Sequence, residues 1–180
     1  MSDVQIKPGT WTIDPDHTEI AFTVRHMMVS KVRGRFDKFS STMRIDEDPA
    51  KSSVEATIDA SSIDTGQEDR DNHIRSADFF EVDKHPSFLF KSTGIRPAGD
   101  DFVLTGDLTI KGNTRPVELK LEFNGTTVDP YGNDRAGFHA ETEIERSEFG
   151  VDIKMPMDGG GVVVGERIKI EIDAEYTRQQ

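Results

Sequence analysis

The chain of 180 residues contains no cysteine. That excludes disulfides and thiolate metal centres. Tryptophan and tyrosine are scarce, one and two against eleven phenylalanines, so most of the aromatic volume lacks a polar handle. Positive charge is also in deficit, with 22 Lys and Arg facing 34 Asp and Glu for a formal net charge of −12. Nucleic acid needs a basic surface and is therefore a poor partner. By overall charge an anionic membrane surface is disfavoured as well. Never do more than three apolar residues run together, which excludes a membrane-spanning helix and the apolar core of a secretory signal. With the polar start Met1-Ser2-Asp3-Val4, the expected location is cytoplasmic, or periplasmic or extracellular if an export segment has been removed.

What the chain has is alternation. In Glu166–Tyr176, Ile168, Ile170, Ile172, Ala174 and Tyr176 point one way, and Arg167, Lys169, Glu171, Asp173 and Glu175 the other. A strict period of two marks a half-buried antiparallel strand. The pattern recurs for Ile20, Phe22 and Val24, for Val54, Ala56 and Ile58, and for Val117, Leu119, Leu121 and Phe123. It appears again for Phe138, Ala140, Thr142 and Ile144. Outward carboxylates such as Glu141, Glu143 and Glu145 then form a solvated face, which Lys or Arg on a neighbouring strand should answer.

Strands are expected at Thr10–Ile13 (an edge, with Trp11 plugging one end), Thr18–His26, Gly34 to about Ile45, and Val54–Ile63. Others follow at Phe88–Thr93, Phe102–Lys111, Pro116–Asn124, Gly137–Arg146 and Arg167–Arg178. Turns fall at Arg96–Asp100, Gly112-Asn113-Thr114, Asn124-Gly125-Thr126 and Asp129–Asn133. The rhythm breaks between Gln67 and Asp83. Thr65 or Asp64 can cap a short helix there, Phe79 and Phe80 supply apolar feet, and His85-Pro86 ends the insertion. About eight strands around one apolar interior make a single all-β domain over 1–180, with its core at about 11–178 and the insertion at about 67–80. Period two alone leaves barrel and sandwich both open.

Five histidines show no HExxH spacing, and no GxSxG elbow is present. Gly159-Gly160-Gly161 lacks the Lys-Ser/Thr of a phosphate loop and precedes a strand. No catalytic residue, metal site or cofactor is expected. His26 shares the inward parity of Ile20, Phe22 and Val24, which suits the cap of one end. Arg70, Asp71 and His73 suit a polar clasp pinning the insertion, with contact to a ligand headgroup as the alternative. On the residues alone, the phenylalanines are ordinary core at least as readily as the lining of a tunnel.

Ordered segments carry a resemblance. Trp11-Thr12-Ile13-Asp14-Pro15-Asp16-His17-Thr18 runs into Ile20–Met27, and Gly34-Arg35-Phe36 follows with Phe39. Next come Arg70-Asp71-Asn72-His73-Ile74-Arg75-Ser76-Ala77-Asp78-Phe79-Phe80 leading to His85-Pro86, Gly106–Gly112 with Pro116-Val117, and Arg146-Ser147-Glu148-Phe149-Gly150. Together they resemble the YceI family of lipocalin-like, polyisoprenoid-binding proteins.

The resemblance implies one extended antiparallel lipocalin-like β-barrel with a short helical insertion, and a non-enzymatic role in binding, transporting or storing an isoprenoid-type lipid. The tunnel would be lined by Ile20, Phe22, Val24, Phe36, Phe39 and Ile58 from the first half. Phe79, Phe80, Phe88, Phe90, Leu108 and Ile110 would follow, then Leu119, Leu121, Phe138, Ile144 and Phe149. Ile168, Ile170 and Ile172 complete it, with His26, Arg70, Asp71 and His73 as the polar mouth or clasp. The competing readings are a lipid-modifying enzyme using His26, or Arg70 with His73, and a filled barrel serving as an interaction module. A mouth flanked by Met27, Met28, Met155 and Met157 also suggests a homodimer.

Overall fold

The computed structural model describes residues 6–27, 29–152 and 164–179. Eleven strands follow in chain order. They are β1 (Gly9–Ile13), β2 (Glu19–His26), β3 (Ser30–Phe36), β4 (Phe39–Ile45), β5 (Ser53–Asp59) and β6 (Ile63–Asp64). Helix α1 (Glu68–Arg75) intervenes before β7 (Ser87–Ala98), β8 (Asp101–Ile110), β9 (Asn113–Val128), β10 (Asp134–Glu145) and β11 (Val164–Arg178).

Hydrogen bonding runs β1-β4-β5-β7-β8-β9-β10-β11, and β1 also pairs with β11, so the sheet closes on itself. A branch β11-β2-β3-β6 continues the same surface. Successive short strands are interrupted pieces of one stave: β1 with β2, β3 with β4, β5 with β6. The result is an eight-stranded antiparallel closed barrel, and the choice left open by periodicity falls to the barrel. The interruptions have local causes. Asp14, between β1 and β2, and Asp59, between β5 and β6, each accept a backbone N–H two residues on, and such turns compete with strand pairing.

The third stave is short. β6 pairs with β3 only at Ile63 and Asp64, and β5 meets β7 only between Glu55 and Lys91 at one end and Asp59 and Ser87 at the other. Helix α1 and the turns after it stand between β6 and β7. Phe80 places its ring 4.9 Å from Phe88 and 6.4 Å from Phe36, which seats the insertion on the core. The opposite end is closed by Trp11, fully buried with Ile13, Met43, Ile45, Ala136 and Tyr176. Its indole N–H donates to the Lys7 carbonyl at 3.1 Å.

Several expected boundaries move. The helix cap is Gln67, whose Oε1 accepts from the Arg70 N–H at 2.7 Å, in place of Thr65 or Asp64. The helix stops at Arg75 because both the backbone N–H and the hydroxyl of Ser76 bond to the His73 carbonyl. Asn124-Gly125-Thr126 is no turn. It lies within β9 at a register shift opposite Gly137 and Phe138, with Gly125 at φ 107°; an Asn-Gly pair suits a bulge as well as a hairpin. Arg96-Pro97-Ala98 belongs to β7, leaving Gly99-Asp100 as the connection. Beyond Lys91 the other edge of β7 is not paired with β5, so the missing N–H of Pro97 costs no ladder bond there. The β8–β9 turn is Lys111-Gly112, both at positive φ (52° and 77°), as a two-residue hairpin requires.

Candidate functional site: an apolar cavity inside the barrel

The inward parity of the staves encloses a cavity of about 360 Å³, within the range of small-molecule sites. Strand β2 contributes Ile20, Phe22 and Val24; β3 and β4 contribute Phe36 and Phe39; β5 contributes Ile58. Phe79 and Phe80 enter from the turns after α1, Phe88 and Phe90 from β7, and Leu108 and Ile110 from β8. Leu119 and Leu121 come from β9, Phe138 and Ile144 from β10, Phe149 from the 3₁₀ turn Arg146–Phe149, and Ile168, Ile170 and Ile172 from β11. All twenty apolar residues expected at the tunnel from the sequence thus line one space.

The structure adds residues not singled out from the sequence. Val32, Met43 and Leu104 are lining residues that continued alternation could have found. Ile74, Val151, Val164 and Arg146 come from the helix and from strand ends, where period two gives no signal.

Two lining phenylalanines sit over glycines. The Phe22 ring lies within 2.4 Å of where a Cβ on Gly34 would be, and Phe90 within 2.5 Å of one on Gly106. The missing side chains let these rings lie flat across the neighbouring strand.

The lining's polar groups are neutral hydroxyls and, at one end, basic nitrogens. Ser41 and Tyr176 join hydroxyls at 2.8 Å, and Ser41 also donates to the Glu55 carbonyl at 2.8 Å. Burial pushes the Tyr176 phenol upward, although the Ser41 bond works against the rise. The charged or titratable nitrogen groups are Arg25, His26, Arg70, His73 and Arg146, and among the described residues no Asp or Glu lines the cavity. They gather at one end. His26 is opposite Val164 at the start of β11, Arg146 follows the end of β10, and α1 follows β6.

The polar clasp is assembled differently from the expected trio. Asp71, buried but not in the lining, accepts from the Thr65 N–H at 2.9 Å and from its hydroxyl at 2.5 Å. Arg70 donates to the same Thr65, at its hydroxyl (2.8 Å) and carbonyl (2.7 Å). His73 instead pairs with Asp78 at 3.0 Å and meets Phe79 edge-on at 4.9 Å. The residue that pins the helix to the barrel is Arg75, which donates to the carbonyls of Ser61 (2.8 Å) and Ile63 (3.1 Å). Arg146 does similar work across the barrel end, donating to the carbonyls of Gly165, Val151 and Val164 at 3.0, 2.8 and 3.1 Å. Met28, Met155, Met157 and Gly159–Gly161 lie outside the described residues.

Among the described residues, His26, Arg70 and His73 share the lining with no carboxylate, and the acid nearest His73 is Asp78, outside the lining at 3.0 Å. Carboxylate–histidine groups occur on the outward parity. His139 contacts Asp173 at 2.7 Å and Glu141 at 3.4 Å, and the hydrogen bond it donates to Asp173 holds its pKa above the ordinary histidine value despite some burial. Asp14, His17 and Glu175 form a second group, which the Arg135 guanidinium already neutralises at 2.7 Å from Asp14 and 2.8 Å from Glu175. Among the described residues no helix is long and apolar enough to cross a membrane. The barrel also has its apolar face inside and its charged face outside, the reverse of a membrane barrel.

Comparison with known proteins agrees with this architecture. A YceI-like domain matches residues 11–176. A UPF0312 protein of Pectobacterium atrosepticum is 42% identical over 136 residues, covering 75% of this chain and 71% of its own. BcnA of Burkholderia cenocepacia superposes with a TM-score of 0.78 at 25% identity, over 91% of this chain and 98% of that one. A polyisoprenoid binding domain from Saccharophagus degradans, 14% identical, shares the fold with a TM-score of 0.71 over 96% and 100% of the two chains. A barrel of this topology, a match along nearly its whole length and a relative at this identity have one reading: the chain belongs to the YceI family.

Proposed function

We propose that the protein binds an isoprenoid-type lipid, such as a prenyl quinone or polyprenyl chain, and carries or stores it inside the barrel. The observation that carries this reading is the continuous phenylalanine-rich lining, free of acids among the described residues, with its basic groups confined to one end. An apolar tail is the natural occupant of such a space. Roughly fifteen buried carbons gain about 12 kcal/mol, and an association cost of about 4 kcal/mol still leaves the roughly 8 kcal/mol of a micromolar complex. The similarity to a fold described as a polyisoprenoid binding domain supports the same ligand class. The tail would run toward the Trp11 end, with a headgroup that accepts hydrogen bonds lying among His26, Arg70 and His73.

Organic extraction of freshly purified protein followed by mass spectrometry should release a long-chain prenyl lipid, and emptied protein should take up an added prenyl quinone with micromolar affinity. Protein that is repeatedly empty and indifferent to added prenyl lipids defeats the proposal.

A further inference from the structure

The hairpin of β2 and β3 differs from the rest of this acidic molecule. Between Ile20 and Phe36 it carries Arg25, Lys31, Arg33 and Arg35 and no carboxylate. Register sets Arg25 against Lys31, Thr23 against Arg33 and Ala21 against Arg35, so all four lie on the outward parity, with Arg25, beside the tip, also touching the cavity lining. Arg35 is answered by Asp37 at 2.9 Å and Asp64 at 3.2 Å. Among the described residues, Arg25, Lys31 and Arg33 have no side-chain ion pair or hydrogen bond. Across β2 the next outward residue, opposite Thr23, is another cation, Lys169.

Like charges set directly opposite each other on neighbouring strands destabilise a sheet. Lys169 is answered by Glu171 at 3.5 Å, but among the described residues no carboxylate pairs with Arg25, Lys31 or Arg33 to offset that cost, so the arrangement points to an anionic partner. The tip of the hairpin is apolar: Val29 is 87% exposed and Met27 41%. Met27 sits at φ 52°, a left-handed conformation that a side chain other than glycine adopts at a cost. The Val29 N–H donates to the His26 carbonyl at 3.2 Å, which closes the turn back onto β2. Arg25 and His26, immediately before the tip, line the cavity.

An apolar tip on a basic stem is the pattern of a segment that seats in a bilayer interface. We propose that the β2–β3 hairpin docks the protein on an anionic lipid bilayer, with Met27 and Val29 entering the interface and Arg25, Lys31 and Arg33 meeting headgroup phosphates. The basic end of the cavity would then face the membrane from which its lipid comes, a purpose that rests on the carrier reading above. The net charge of −12 does not forbid this. At physiological salt, charges farther than about 8 Å from the surface are largely screened, and the hairpin is the part held against it.

The test is co-sedimentation of the full chain with phosphatidylcholine vesicles, with and without phosphatidylglycerol. Binding should require phosphatidylglycerol and fall steeply with added salt. The double variant Lys31→Gln/Arg33→Gln should bind roughly 25-fold more weakly, at about fivefold per charge, and Val29→Asp should also bind more weakly. The Gln pair should melt no lower than wild type, since it relieves the Arg25–Lys31 repulsion, and both variants should keep the uptake of a prenyl quinone from vesicle-free solution. If Val29→Asp fails to fold, the Gln pair decides. Indifference to phosphatidylglycerol, or a Gln pair that docks like wild type, overturns the proposal. So does a concentration-dependent dimer lost in Val29→Asp without vesicle binding, which would assign the tip to a second copy. Quinone uptake without docking defeats this inference alone, whereas docking without quinone uptake defeats the carrier reading alone.

Discussion

Phe22 lies against Gly34 in register, in the middle of β2, with its ring filling the space a Cβ would take. Phe22→Asp would set a carboxylate among Ile20, Val24, Ile168 and Ile170, where it must either stay ionised unpaired or hold a proton. The variant is expected to lose bound lipid and to melt several degrees lower, by extraction and thermal denaturation. Glu143→Ala is its control. Glu143 is outward and half-exposed, 3.6 Å from an exposed Arg167, so its loss should change stability by less than about 0.5 kcal/mol. Native lipid retention in Phe22→Asp would refute the inward assignment of this strand. His139 offers a separate test on the outer face. Its folded pKa is raised, chiefly by Asp173, so the stability it contributes is complete below its unfolded value and lost as pH rises through the folded one. A proton NMR titration should place His139 above 6.5, and Asp173→Asn should bring it down. An unchanged midpoint in that variant would remove Asp173 as the cause.

Among the elements, α1 shows best what the sequence makes legible and what it hides. Loss of alternation after Gln67 marked the insertion, and Phe79 and Phe80 marked its docking face, because hydrophobicity and period are written in side chains. The tether was hidden, since Arg75 bonds the carbonyls of Ser61 and Ile63, and every residue offers a carbonyl. Arg146 is hidden for the same reason. Asn124-Gly125 was legible but ambiguous, because one dipeptide serves both a hairpin turn and a bulge, and only the long pairing of β9 with β10 decides. The tether makes its own prediction. Arg75→Ala removes two charge-assisted hydrogen bonds to the Ser61 and Ile63 carbonyls, worth roughly 1.5–3 kcal/mol each when well formed and less here with partial exposure. Amide hydrogen exchange across Glu68–Arg75 should accelerate strongly while β8 to β10 change little. Equal protection in variant and wild type would mean that Phe80 alone holds the insertion.

At the scale of the whole molecule, the first stave meets β11 in two parts, β2 over seven paired positions and β1 over a short seam at the Trp11 end. β1 and β11 share only three paired positions, Trp11 with Arg178, Thr12 with Thr177 and Ile13 with Tyr176. Beside that seam Arg135 gathers three chain segments: Asp14 after β1, Glu175 in β11, and Asp129 in the β9–β10 turn at 2.8 Å. Two lateral bonds and one across the turn hold the closing strands where ladder bonds are few. Asp129 is the group whose protonation should be felt. The Asn133 backbone N–H, then the Arg135 guanidinium and the Tyr131 N–H, hold its carboxyl at about 2, against an ordinary 3.8, with burial opposing the drop. A depressed folded pKa means a contribution fully present above the unfolded value and lost as pH falls through the folded one. Wild type and Asp129→Asn should therefore differ in melting temperature by a constant amount above about pH 4, and that difference should shrink between pH 4 and pH 2 as the carboxylate takes up its proton. A difference that persisted undiminished at pH 2, or that grew toward neutral pH, would show that the turn, not the charge on Asp129, supports the seam.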